Sequence, residues 1–191
     1  MNEIIFATGN ENKVKEVKFA LDGILSIKGL KDIGCTTDLP ETSNTFEGNA
    51  LQKAQYVVDN FKVDCFSEDT GLEIEALNME PGIYTARYAG PNRDRDANMD
   101  LVLKNLLGKA NRKARFRTAI ALIIDGKSHI FEGICNGEIA HTRMGDDGFG
   151  YDPIFIPDGF DRSFAQMTKA EKNEISHRGI AVRKLIAFLK K

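Results

Sequence analysis

The chain has 191 residues, 42% of them hydrophobic and 28% charged, which is enough for one substantial core and short for two independent ones. A formal charge of −2 excludes a broad basic field for nucleic-acid backbones, so an anionic ligand has to be met by a local cluster of cations. Cys35, Cys65 and Cys135 are odd in number and widely spaced, which suits reduced thiols in a cytoplasmic protein better than a disulfide frame or a zinc site. The first apolar stretch, Ile4 to Ala7, stops at Thr8-Gly9-Asn10, too early for a signal h-region, and no apolar run approaches membrane-spanning length. The expectation is one soluble domain over residues 1–191, with no nucleic-acid and no membrane partner.

In chain order, Met1 to Ala7 predicts a short buried strand, and Val14, Val17 and Leu21 follow at helical spacing. Ile24 to Lys28 predicts a second strand, and the polar stretch from Ile33 to Asn44 reads as loop. A helix over 46–60 puts Ala50, Ala54, Val57 and Val58 on one face. Val63 to Ser67 is the next strand, running straight into Glu68-Asp69, and Thr70-Gly71 is expected to end it. Leu72 and Ile74 then alternate with acids as a half-exposed strand does, before a turn at Pro81-Gly82. The pattern from 93 to 107 is helical and stops at Gly108. Two long strands, 116–124 and 128–141, flank Asp125-Gly126, a hairpin signature. A glycine-rich loop over 145–151 follows. Thr168 and Glu171 have capping-box spacing, and Val182, Leu185, Ile186 and Leu189 define a closing amphipathic helix. The fold class expected is α/β, with a mixed central sheet, a long antiparallel hairpin and flanking helices.

Several clusters carry chemistry. Thr8-Gly9-Asn10-Glu11-Asn12-Lys13 sets a hydroxyl, a flexible backbone and a lysine between a strand and a helix N-terminus, where amide N–H groups and the helix dipole favour phosphate. It lacks the second glycine and Gly-Lys-Ser/Thr ending of a Walker loop, and an ordinary strand-to-helix turn with a solvated lysine explains it equally well. Glu41, Glu68 and Asp69 offer hard oxygen donors, which suit magnesium or manganese and not zinc. Crowded carboxylates raise one another's pKa, and Asp69 is the expected proton acceptor. Lys53 lies one turn from Asn49, where most helix lysines are simply solvated. In Gly148-Phe149-Gly150-Tyr151-Asp152-Pro153 an aromatic ring sits between two glycines, open either to a stacking base or to a tight-turn core role. Lys169, Lys172, Ser176, His177 and Arg178 gather before the last helix, with Ser176 as its N-cap. Capping plus a solvated face is the ordinary reading of that cluster. Donors such as His177 and Arg178 would prefer the acceptor of a 6-oxo purine over the amino group of adenine.

Taken jointly, Thr8-Gly9-Asn10 with Lys13, Asn49-Ala50 with Lys53, Glu68 to Leu72, Pro81 to Tyr88, Gly148 to Pro153 and Ser176-His177-Arg178-Gly179 resemble the inosine triphosphate pyrophosphatase family. The motifs span nearly the whole chain and fall in the family's order. The resemblance implies two lobes around a cleft and a Mg-dependent homodimer, with Mn as a substitute ion. Such an enzyme hydrolyses ITP, dITP and XTP to monophosphate and pyrophosphate and so cleanses the nucleotide pool. It implies that Thr8, Gly9, Asn10, Glu11, Asn12, Lys13 and Lys53 hold phosphates, that Glu41, Glu68 and Asp69 lie at the metal, and that Thr70 lies by the nucleotide. Phe149, Gly150, Tyr151 and Asp152 would form the base pocket with Lys172, His177 and Arg178. Many members carry Asp-Asp where this chain has Glu68-Asp69, which leaves direct and water-mediated metal contact both open. A pyrophosphatase for dTTP, UTP or modified pyrimidines, a silent nucleotide sensor and a purely structural α/β domain are the competing readings. Pro81 to Tyr88, with two tyrosines and few charges, is the expected subunit interface.

Overall fold

Side chains alternate across a strand, and along the early strands that alternation assigns each helix to a layer. The computed structural model describes residues 3–190, so Met1 and Asn2 of the expected first strand lie outside the described residues. β1 (Glu3–Phe6) sends Ile4 and Phe6 to one face and Ile5 to the other. β3 (Cys65–Ile74) separates Phe66 from Cys65 in the same way, and β5 (Lys113–Ile124) separates Ile120 and Leu122 from Ala121 and Ile123. The first face is covered by Val17 of α1 (Glu11–Ala20) and by Ala181, Val182 and Leu185 of α5 (His177–Leu189). Against the second lie Ala50, Ala54 and Val57 of α2 (Phe46–Phe61). Phe6 and Phe66 stack at 4.5 Å with an interplanar angle of 7°. Each such side chain, fully removed from water, contributes roughly 1.5–3 kcal/mol.

The sheet is mixed, as expected. β2 (Ser26–Lys28) and β3 both run parallel to β1, whereas β4 (Glu80–Pro81) is antiparallel to β3, and β7 (Phe155–Pro157) is antiparallel to β6 (Lys127–Ile139). The strand order is β2-β1-β3-β5-β6-β7, with β4 beside β3. Asp125 and Gly126 join β5 to β6 with φ of 49° and 71°, the left-handed pair that a type I′ hairpin turn requires.

The chain divides into two compact units. One holds the segment up to Asp69, then Thr118–Gly133 and the chain from His177 onward; the other holds Thr70–Arg117 and Ile134–Ser176. The second unit has its own core, in which Leu72 and Ile74 of β3 meet Met99 and Val102 of α3 (Arg95–Asn105) and three phenylalanines. Phe155 lies 4.7 Å from Phe116 and 5.0 Å from Phe164 between ring centroids. Thr168 and Glu171 form the expected capping box, on a short helix α4 (Lys169–Ile175).

One feature differs from the sequence expectation. β3 does not end at Thr70-Gly71 but continues to Ile74. Burial of Leu72 and Ile74 in the second core holds it extended, and the Leu72 amide donates to Thr85 Oγ1 at 2.8 Å. Ser176 stands, as expected, directly before α5 in an extended conformation (φ −69°, ψ 152°), and it also closes α4, the short helix that carries both clustered lysines, Lys169 and Lys172.

Gly133 of β6 lets the start of α5 approach the strand closely. A Cβ there would fall 1.9 Å from the His177 carbonyl oxygen and 2.7 Å from the Ala181 nitrogen, both backbone atoms. We expect Gly133→Ala to lower unfolding free energy by about 2–4 kcal/mol in urea titration, and wild-type stability in that variant would show that α5 does not seat there.

Candidate active site

Because β3 runs on past the acid pair, Glu68 and Asp69 leave it on opposite faces and serve different partners. Glu68 is fully buried and is gripped by Arg178, whose Nε donates to both carboxylate oxygens at 3.0 and 2.9 Å and whose Nη2 donates to Oε1 at 2.9 Å. Lys13 Nζ approaches the same carboxylate at 3.2 Å, and Arg178 Nη1 is also bonded to Glu16 on α1. Burial by itself raises the Glu68 pKa, but the charges and hydrogen bonds of Arg178 and Lys13 outweigh it and hold the group at about 2. Lys13 is pushed below the ordinary lysine value, chiefly by burial, with Glu68 opposing and with Lys53 and Arg178 adding to the effect. An anion arriving beside Lys13 therefore relieves an unfavourable charge state.

On the other face Asp69 meets α2. Asn49 Nδ2 donates to Asp69 Oδ2 at 3.0 Å, and Lys53 Nζ lies 3.9 Å from Oδ1 while bonding Glu41 directly. Glu41 comes from a loop without regular structure, and α2 itself fixes that loop. Asn49 Oδ1 accepts from the Ser43 amide at 2.8 Å, and Gln52 Oε1 accepts from the Thr42 amide at 2.9 Å. Desolvation raises the Asp69 pKa, opposed by Lys53, Lys13 and the Asn49 hydrogen bond and reinforced by Glu41.

The loop before α1 is an N-cap. Asn10 Oδ1 accepts from the Asn12 and Lys13 amides at 3.0 and 3.2 Å, and the Asn10 amide donates to Thr8 Oγ1 at 3.2 Å. Backbone donors that the sequence offered to phosphate are thus already engaged. What this segment still presents is the Lys13 charge, the positive end of the helix and the exposed residues Gly9 and Glu11.

In the second unit Asp152 organises the glycine-rich loop. Its Oδ2 accepts from the Phe149 amide at 2.8 Å and from Lys172 Nζ at 2.7 Å. Lys172 lies 5.0 Å from the Phe149 ring centroid and 5.5 Å from that of Phe164, so a nearly buried ammonium is clamped beside the half-exposed ring. Gly148, at φ +75°, gives Asp152 the room it needs, since a Cβ there would lie 2.2 Å from Oδ2. Tyr151 donates through its hydroxyl to the Thr85 carbonyl at 2.8 Å and is buried.

Of the residues singled out from sequence, the first unit brings together Lys13, Glu41, Lys53, Glu68, Asp69 and Arg178, and the second brings together Phe149, Asp152 and Lys172. His177 is buried at the first turn of α5, and Thr70 is the half-buried residue with which β3 enters the second unit. The sequence placed Arg178 among base-binding groups, whereas its guanidinium is committed to Glu68 and Glu16. Glu16 and Gln52 were missed; Glu16 stands three residues after Lys13, a helical spacing that puts both on one side of α1.

A carboxylate whose pKa falls on folding adds stability above its unfolded value and loses it as pH drops toward its folded value. For Glu68 that window runs from about 4.5 down to about 2. Glu68→Gln should be less stable than wild type by about 3 kcal/mol at pH 7 in chelator, and the gap should shrink by more than half between pH 6 and pH 3 in urea titrations. A constant gap would show that Glu68 is not held ionised by its cations.

Comparison with known proteins places this geometry in a group. The Ham1 family profile matches residues 4–188. The dITP/XTP pyrophosphatase of Flavobacterium psychrophilum is 50% identical over 188 residues, covering 98% of this chain and 99% of that one. The dITP/XTP pyrophosphatase of Bacillus subtilis is 45% identical over 193 residues, covering 99% and 98%. Among solved structures, the Ham1 protein of Staphylococcus aureus superposes with a TM-score of 0.90 at 38% identity, covering 99% of this chain and 98% of that one. The HAM1 protein of Coxiella burnetii gives the same TM-score at 35% identity, covering 100% and 99%. With a profile match across almost its full length and relatives at half identity, the chain belongs to the Ham1 family.

Proposed function

We propose that the chain hydrolyses the triphosphates of deaminated purines, ITP, dITP and XTP, to monophosphate and pyrophosphate. The observation that carries this reading is Asp69, a buried carboxylate of raised pKa, oriented by Asn49 and set near Lys53 in a cluster that also contains Lys13. Full-length similarity to proteins named dITP/XTP pyrophosphatase supports the substrate class. In the reaction a water oxygen bonds to the α-phosphorus, the bond from that phosphorus to the β-bridging oxygen breaks, pyrophosphate leaves, and Asp69 takes the water's proton. Lys13 and Lys53 bind and neutralise the departing phosphates. Phe149 stacks on the base, and Lys172, fixed by Asp152, donates to its 6-oxo acceptor; a buried donor discriminates strongly against a ring that presents an amino group instead.

The residues fit a hard divalent ion. Among the described residues no three Asp, Glu, His or Cys side chains form a ready cage. The named cluster sets three cations, Lys13, Lys53 and Arg178, against four carboxylates, Glu16, Glu41, Glu68 and Asp69. That balance leaves one carboxylate in excess, which a divalent ion would offset. Glu41 and Asp69 would hold magnesium or manganese through oxygen, a donor set typical of ions that keep water and share phosphate ligands. Glu68, next to Asp69 on β3 but on the other face, has its oxygens bonded to Arg178 and Lys13. When bound, the ion supplies Lewis acidity and charge neutralisation at the phosphates.

We further place the chain in the cytoplasm as a homodimer. Its cysteines are all free and buried, and no described helix is long and apolar enough to cross a membrane. Residues 81–88 expose Tyr84 at 54%, which supports an interface there.

Pyrophosphate release from ITP, XTP, ATP, GTP, dTTP and UTP, with and without magnesium, tests the assignment. ITP and XTP should be turned over fastest, and only with the ion. Orthophosphate appearing first would exclude it, preference for dTTP or UTP would favour the pyrimidine reading, and tight ITP binding without turnover would favour a sensor. Asp69→Asn should lower kcat by about 10²–10⁴ with an unchanged thermal midpoint, and undiminished turnover would remove Asp69 from the proton-accepting role. Sedimentation should give a dimer that Tyr84→Glu converts to monomer; a wild-type monomer would rule the interface out.

A further inference from the structure

We propose that Arg95 is a positioning residue for the purine subsite, an assignment that rests on reading Phe149 and Lys172 as the groups that meet the base. Arg95 opens α3, and its guanidinium reaches the loop that carries Phe149: Nε donates to the Gly150 carbonyl at 3.1 Å and Nη2 to the Asp147 carbonyl at 3.5 Å. A second arginine, Arg143, just before that loop, also reaches α3. Arg143 Nη2 donates to the Asp96 carbonyl at 3.1 Å and to Asp100 Oδ1 at 2.7 Å, and its Nη1 lies 3.3 Å from Asp96 Oδ1.

The loop needs an external tether. Phe149 stands between Gly148 at φ +75° and Gly150 at φ +59°, so the backbone on either side of the ring has little preference of its own. Asp152 fixes the amide of Phe149, and Arg95 fixes the carbonyl of the next residue, so the peptide carrying the ring is held at both ends. The holding point is firm: Asp94 caps α3 by accepting from the Ala97 amide at 3.0 Å, and Met99 and Val102 anchor it in the core. A forked guanidinium spans two carbonyls three residues apart, which a single ammonium does not. A loop held in its binding shape before the base arrives spends less conformational entropy on binding, so the effect falls on substrate affinity and leaves the phosphate chemistry alone.

The test compares wild type, Arg95→Ala and Arg95→Lys. With ITP the alanine variant should raise KM about three- to tenfold with kcat within about twofold, and the lysine variant should recover part of the loss. The inhibition constant of inorganic tripolyphosphate, which has no base, should not change. Amides of residues 147–151 should exchange hydrogen faster in ligand-free Arg95→Ala at an unchanged thermal midpoint. Unaltered KM and exchange would overturn the proposal, as would a joint fall of kcat and thermal midpoint, which marks general damage. Should wild type fail to turn over any purine triphosphate, the substrate reading falls and the purine role of Arg95 with it, while the exchange data still decide whether the tether exists.

Discussion

The constraint on which the rest depends is that β3 stays extended through Glu68-Asp69. An unbroken strand sends neighbouring side chains to opposite faces, so two adjacent carboxylates take different hydrogen-bond partners, while the Lys13 charge still acts on both. One faces α1 and α5 and completes a buried ion network; the other faces α2 and keeps company with a lysine and an amide. Burying an ion costs several kcal/mol unless a partner compensates it, and Arg178, 2% exposed, is compensated by Glu68 and Glu16 together. That network ties α5 to α1 and to β3, so the same contacts that neutralise the charges also position Lys13.

The second unit solves a similar problem with different means. Lys172 is nearly buried, and a lysine there requires either a carboxylate or polarisable surroundings. It has both, in Asp152 and in the faces of Phe149 and Phe164. Asp152 is shared between Lys172 and the Phe149 amide, so one carboxylate fixes the donor and the ring relative to each other. A flat ligand with an acceptor on its edge meets a stacking surface and a directed hydrogen at once. In the proposed function this geometry would select by what the base presents, which an apolar slot of the same size does not do.

Much of this was legible in the sequence because it is local. Apolar spacing located α2 and α5, Asp125-Gly126 located the hairpin, and Thr168 with Glu171 located the cap of α4. What was not legible depends on distant partners. Gly71 reads as a strand terminator, yet the extended state there is decided by the burial of Leu72 and Ile74 and by a hydrogen bond to Thr85, thirteen residues on. Glu41 sits in a loop with no pattern of its own, and the hydrogen bonds that the Ser43 and Thr42 amides donate to Asn49 and Gln52 explain its place at Lys53. Arg178 finds Glu68 from 110 positions away, and no spacing rule reaches that far.

The split of the acid pair also decides which member suits proton transfer. A carboxylate with a pKa near 2 has little affinity for a proton, and both oxygens of Glu68 are occupied by Arg178. Proton affinity there would have to come at the expense of two buried cations. Asp69 differs on each count. Burial is the largest influence on it and raises its pKa, Lys53 stands 3.9 Å from Oδ1, and Asn49 holds one oxygen through a neutral amide that orients without suppressing basicity as a cation does. Adjacent in sequence and equal in charge, the two acids are made unlike by the faces they look toward: Glu68 balances charge, and Asp69 is left able to accept a proton.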